Sequence, residues 1–166
     1  MSTGDRGEAG LAPRGVSESE VTLTQLTLPS DANPHGNVHG GTVMKLVDTA
    51  GGIVASRHAR RRVATVMVDS MTFLHPVFVG DLLMLTARLT WTGTTSMEVE
   101  VIVQAEQITT GRVTHTSTAY VVYVALDEND QPCPVAPLRL ESPDERRRWD
   151  EAAARRAYRL ARRPPG

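Results

Sequence analysis

The chain has 166 residues, 40% hydrophobic and 22% charged, with a net charge of −1 at neutral pH. That length and balance suit one globular domain with a real core and exclude wholesale disorder. The near-zero charge excludes a global basic field for nucleic acid, and no apolar run is long enough to span a bilayer.

The first residues, MSTGDRGEAGLAPRG, lack the apolar centre of a secretory signal, and the single Cys133 rules out an internal disulfide. Both fit a cytoplasmic protein. Residues 1–18, rich in Gly, Ala, Ser and Pro, are expected to form a flexible N-terminal tail. VTLTQLTL (21–28) reads as the first strand, and PSDANPHGNVHGG as a long loop. From Thr42 to about His58, Val43, Val47, Ala50 and Val54 recur as a helical stripe, broadened by Leu46 and Ile53.

VATVMVDSMTFLHP is a second strand, stopped by Pro76, and VFVGD turns the chain into LLMLTARLTWT. After GTT comes SMEVEVIVQAEQ, with Met97, Val99, Val101 and Val103 on one face and Glu98 and Glu100 on the other. Gly111 opens the last strand, VTHTSTAYVVYVAL. The proline-rich DENDQPCPVAP then leads out of the domain. In SPDERRRWDEAAARRAYRLARR, Ser142 reads as an N-cap, Pro143 as the first helical residue and Glu145 as the closing member of a capping box. Trp149, Ala153 and Leu160 give this helix only a narrow apolar stripe, so it is expected to lie peripherally. Its acidic start argues against a nucleic-acid or membrane surface.

One strand, one long helix and four more strands imply an α+β fold, a single antiparallel sheet covering one helix. That helix begins behind Gly40 and Gly41, whose bare backbone offers N–H donors to an anion or a developing oxyanion. Asp48 lies off the apolar stripe, beside Met44, Gly51, Gly52 and Ala55. Glycine inside a helix costs about 1 kcal/mol relative to alanine, so something must approach closely here, either a second subunit or a thin ligand. His35 and His39 share no helical face, and His58, His75 and His115 are scattered, so no metal site is expected.

Taken in order, PSDANPHGNVHGGTVMKLVDTAGG, SMTFLHPVFVGDLL, TGTTSMEVEV and TAYVVYVALDE resemble the acyl-CoA thioesterases of the hotdog superfamily. The resemblance runs through residues 19–137 and leaves 138–166 as a C-terminal helical extension. It implies a hotdog fold, hydrolysis of acyl-CoA to fatty acid and CoA, and a homodimer with paired central helices, assembled as a trimer of dimers. It implies no cofactor, since coenzyme A arrives with the substrate. Asp48 matches the acidic residue that activates water or attacks the thioester, and Asn33 the loop asparagine that completes the site. Gly41 and Gly40 match the helix-start glycines that hold the carbonyl oxygen. Contacts to CoA fall on Gly40, Ser70, Gly93, Thr95 and Ser96. Thr94 stands where some relatives carry an arginine, and the arginines at 60 to 62, with Arg62 placed in the site, are the expected substitutes.

Gly41 and Asp48 are seven residues apart, about 10 Å along a helix axis, so one chain can hardly bring both to one carbonyl. Two antiparallel helices can. An exposed aspartate is a feeble base, so this role also calls for partial burial of Asp48. A hotdog enoyl-CoA hydratase, suggested by DANPH, and a non-enzymatic acyl-CoA sensor are the alternatives. The first lacks its histidine at the expected place (Gly36), and the second has no need of Asp48.

Overall fold

A computed structural model describes residues 10–163. In chain order it contains β1 (Arg14–Gly15), β2 (Val21–Leu26), α1 (Gly40–Ala59), β3 (Arg62–Phe73), β4 (Leu82–Thr92), β5 (Ser96–Gln107), β6 (Arg112–Leu126), β7 (Leu138–Arg139) and α2 (Pro143–Ala161). Five strands form one antiparallel sheet in the order β2-β4-β5-β6-β3, and β1 pairs with β7 in parallel. The sheet wraps α1. Val43, Val47, Ala50 and Val54 are each at most 2% exposed, packed with Leu83, Leu85, Val99, Val101 and Val121. This is the expected α+β hotdog arrangement.

α1 starts at Gly40, two residues before the expected Thr42, because His39 caps it with its own side chain. It ends at Arg60, which takes the left-handed conformation (φ 54°). Only one side of α1 is covered. Met44, Lys45, Asp48 and Thr49 face outward, and Lys45 is the sole lysine of the chain. β2 stops at Leu26, beyond which the Thr27 N–H donates to the Asp81 carbonyl at 3.0 Å and its hydroxyl reaches the carbonyls of Phe78 and Asp81.

The expected tail boundary at residue 18 moves. Residues 1–9 lie outside the described residues, but Arg14–Gly15 form a strand and Val16 is 4% exposed within the core. The Arg14 guanidinium also donates to the His58 carbonyl near the C-terminal end of α1, where cations are favoured. His58 is itself buried, and its Nε2–H donates to the Ala136 carbonyl, fastening the connector to the helix. Burial holds its pKa below the usual histidine value.

The outer face of the sheet departs most from expectation. Glu98 and Glu100 point away from α1 as the alternation requires, yet they are 1% and 7% exposed. α2 lies over them. Arg155 and Arg159 reach the Glu98 carboxylate at 2.7 and 3.2 Å, and Thr90 donates to it at 2.8 Å. Tyr120 donates to Glu100 at 3.1 Å, with Arg88 and Arg148 at 3.7 and 3.6 Å. The apolar stripe of α2 uses Trp149, stacked obliquely on Trp91 at 5.9 Å, and Ala152, not Ala153. Leu160 is exposed. Ser142 caps Glu145 as expected, but Glu145 returns its bond to the Glu141 N–H, one residue before the cap.

Two outcomes follow for stability. Glu98→Ala leaves Arg155 without its carboxylate, while Arg159 keeps Asp69 at 3.2 Å, and should lower stability by about 3 kcal/mol in urea denaturation. Deleting residues 1–18 removes Val16 from the core and Arg14 from the helix end. It should lower the melting temperature by roughly 5 °C or more, read by calorimetry.

Candidate active site

Asp48 is exposed on the uncovered face of α1, yet its carboxylate is held. Thr65 donates to Oδ1 at 2.7 Å. The Tyr123 hydroxyl lies 3.2 Å from the same oxygen and 3.1 Å from the Asp48 carbonyl. Thr65 and Tyr123 are opposite each other in the β3–β6 ladder, so one face of the sheet delivers both hydroxyls. A bulge follows immediately between Thr65 and Met67 and re-aims the rest of β3. Neither residue was anticipated, because a threonine in a strand rich in β-branched residues carries no local mark. Burial, then the charge of Asp48, pushes the Tyr123 hydroxyl far above the usual tyrosine pKa.

Tyr123 also explains Gly51. A Cβ there would stand 2.3 Å from the Tyr123 hydroxyl, so the glycine admits a side chain of its own subunit. The expectation that Gly51 serves an outside partner is therefore corrected. Gly52 is different: a Cβ would make only ordinary contact, 3.9 Å from the Tyr123 ring.

The helix start is partly occupied. The Gly41 N–H donates to His39 Nδ1 at 2.9 Å. The Gly40 N–H has no partner among the described residues, which leaves it as the open donor of the pair. Asn33 Oδ1 accepts from the backbone N–H groups of His35 and Asn37 at 2.9 and 3.2 Å. That turn fixes the amide orientation and frees its NH2 group. Asn33 and Gly40 line one cavity of about 270 Å³, walled by Val38, Phe73 and Val77. Asp48 does not line it. Eight residues from Gly40 to Asp48 are about 12 Å along α1, so the separation expected from the sequence persists.

Among the expected CoA contacts, Gly93, Thr95 and Ser96 form the β4–β5 turn, closed by the Gly93 N–H on the Ser96 carbonyl at 2.8 Å. Ser96 pairs with Val124, which pairs with Ala64, so this turn lies at the β3 end that carries Arg62. Arg62 is ion-paired to Asp130 at 2.6 Å, in the open. Ser70 is six residues beyond Ala64 along β3, about 20 Å from the turn, and is not gathered with it in one chain. No group of three or more His, Cys, Asp or Glu converges among the described residues.

Comparison with known proteins adds the lineage. The family model for the thioesterase superfamily matches residues 35–112. An uncharacterised acyl-CoA thioester hydrolase of Bacillus subtilis, YkhA, is 39% identical over 80% of this chain and 77% of its own. The chain belongs to the acyl-CoA thioester hydrolases. It spans 38% of the length of the rat cytosolic acyl coenzyme A thioester hydrolase, at 37% identity. Among solved structures, an apo-hexameric acyl-CoA thioesterase superposes with a TM-score of 0.88, at 36% identity over 92% of this chain and 97% of that one. An acyl-CoA hydrolase of Staphylococcus aureus, in complex with butyryl-CoA, CoA and CoA disulfide, gives 0.84 at 33% identity, over 90% and 91%. That hydrolase is also known as three alanine variants, replacing an aspartate, an asparagine (with CoA bound) and a threonine.

Gly51→Ala tests the packing at this site in a family member where alanine should otherwise favour the helix. It should destabilise the protein by about 1–3 kcal/mol in chemical denaturation, because overpacking outweighs the propensity gain.

Proposed function

We propose that this protein hydrolyses acyl-CoA thioesters to the free carboxylic acid and coenzyme A, using Asp48 on one chain and the Asn33–Gly40 cavity of a second. The observation that carries the proposal is the held Asp48 carboxylate, with open donors about 12 Å away in a separate cavity. The Staphylococcus aureus variants support it. Their asparagine, aspartate and threonine are fifteen and then seventeen residues apart, the spacing of Asn33, Asp48 and Thr65 here.

In the reaction, the Asp48 carboxylate takes a proton from water as the water oxygen bonds to the thioester carbon. The oxyanion is held by the Gly40 N–H and the Asn33 amide. Collapse breaks the carbon–sulfur bond and releases the CoA thiolate, which takes up a proton. Direct attack by Asp48, through an anhydride that water then opens, uses the same contacts. Neither route uses a cofactor, since coenzyme A enters as part of the substrate. The turn at Gly93, Thr95 and Ser96, with Arg62, is the proposed CoA contact, and Ser70 is assigned to a neighbouring chain's substrate.

The edge of the sheet supports reading the protein as a homodimer. β3 is a twelve-residue edge strand whose Val66, Met67 and Phe73 are each 45% exposed or more, a surface that invites pairing with a second copy. Laid over the open face of α1, that copy would cover Asp48, which the single chain leaves exposed. A trimer of such dimers, as in the hexameric relatives, and a cytoplasmic location belong to the same proposal.

Asp48→Asn should reduce turnover in a thiol-release assay by far more than tenfold without loss of folding. A rate within about tenfold of wild type, only ~1.4 kcal/mol in barrier terms, would remove Asp48 from the mechanism. Site sharing is tested by refolding Asn33→Ala with Asp48→Asn, each nearly inactive alone. About half the dimers are then mixed, each with one intact site, so roughly a quarter of wild-type activity should return. No recovery, with mixed dimers confirmed by mass spectrometry, would put a complete site on each chain.

A further inference from the structure

The two hydroxyls that reach Asp48 converge on a single oxygen. Thr65 and Tyr123 both approach Oδ1, and Oδ2 has no partner among the described residues. Tyr123 is 1% exposed, so the core fixes the position of its hydroxyl, wedged between the carboxylate and the Asp48 carbonyl. Space for that hydroxyl exists because residue 51 is glycine. The helix accepts a poor helix former there, and the ring of a β6 residue reaches through the gap to the catalytic face.

We propose that Tyr123 is a positioning residue for Asp48, holding the carboxylate through Oδ1 so that Oδ2 is the oxygen presented to water or to the thioester. The inference rests on the reading of Asp48 as the reacting group and goes beyond it, by adding a residue and choosing between the two oxygens. A carboxylate on an exposed helix face turns freely about its last torsion. Thr65 donating to Oδ1, with the single Tyr123 proton shared between Oδ1 and the Asp48 carbonyl, removes that freedom before the substrate arrives, which is worth rate and not affinity. The hydroxyl stays neutral because burial and the adjacent carboxylate both oppose its ionisation. It therefore acts as a standing donor and supplies no proton to the leaving thiolate.

The test is Tyr123→Phe, which keeps the ring and removes the hydroxyl, assayed with butyryl-CoA alongside melting temperature and oligomeric state. We expect kcat to fall about ten- to hundredfold while KM stays within about twofold and the fold persists. In the Asp48→Asn background, adding Tyr123→Phe should leave the residual rate unchanged, since the tyrosine acts only through the carboxylate. A kcat within about twofold of wild type, or the same fractional loss with and without Asp48, overturns the inference. An inactive Asp48→Asn beside a fully active Tyr123→Phe refutes the positioning role alone. An active Asp48→Asn refutes the reading of Asp48 and the inference with it. Should Tyr123→Phe not fold, Gly51→Ala, which displaces the hydroxyl while keeping the tyrosine, must show the same loss of kcat at unchanged KM.

Discussion

A twenty-residue helix with one sheet to cover it can bury only one side, and the rest of the molecule is arranged around that restriction. The stripe from Val43 to Val54 fills the concave face of the sheet, which leaves Met44, Lys45 and Asp48 on the other side without cover. A carboxylate proposed to react cannot come from the stripe, because a charge buried there would go unpaired. It comes from the open side, and it is steadied by the two side chains that can reach past the helix edge, Thr65 and Tyr123. The same helix axis keeps its N-terminal donors a fixed distance from that carboxylate. In the proposed reaction, catalysis and assembly are thereby coupled: the geometry that builds the core keeps the Gly40 donor and Asp48 about 12 Å apart within one chain.

Much of this was legible in residue order. The 3.6-residue recurrence of α1, the alternation of β5 and the Ser142 cap are local patterns, set by neighbours a few positions away. What stayed hidden depends on distant contacts. Alternation correctly turned Glu98 and Glu100 away from the core, but it could not say that α2 would return to cover that face. Gly51 announced that something needed room, and the occupant proved to be a tyrosine seventy-two positions later. The bare start of α1 was visible, yet the His39 imidazole that occupies one of its donors was not. Val16 is a single apolar residue in a polar stretch, with no periodicity to betray its place in the core.

The clamp between α2 and the sheet illustrates how charge specifies position. Trp149 and Ala152 supply little apolar area, and such a helix could slide along a flat surface. Two buried glutamates, each requiring arginines at particular places along α2, allow one register. Buried ion pairs give modest net stability because desolvation offsets attraction. Their value here is that other placements of α2 take both arginines from the Glu98 carboxylate. The parallel β1–β7 pair, just before α2, fixes the direction from which the helix enters.

The uncovered side of α1 has a chemical corollary. Acyl thioesters acylate free amines, and this chain has one side-chain amine, Lys45, three positions before Asp48 and exposed beside it. Amine-reactive labelling therefore has a single lysine target on each chain, located where a neighbouring subunit would lie. The extent of that label, followed against protein concentration, becomes a direct reporter of whether the open face of the helix is occupied.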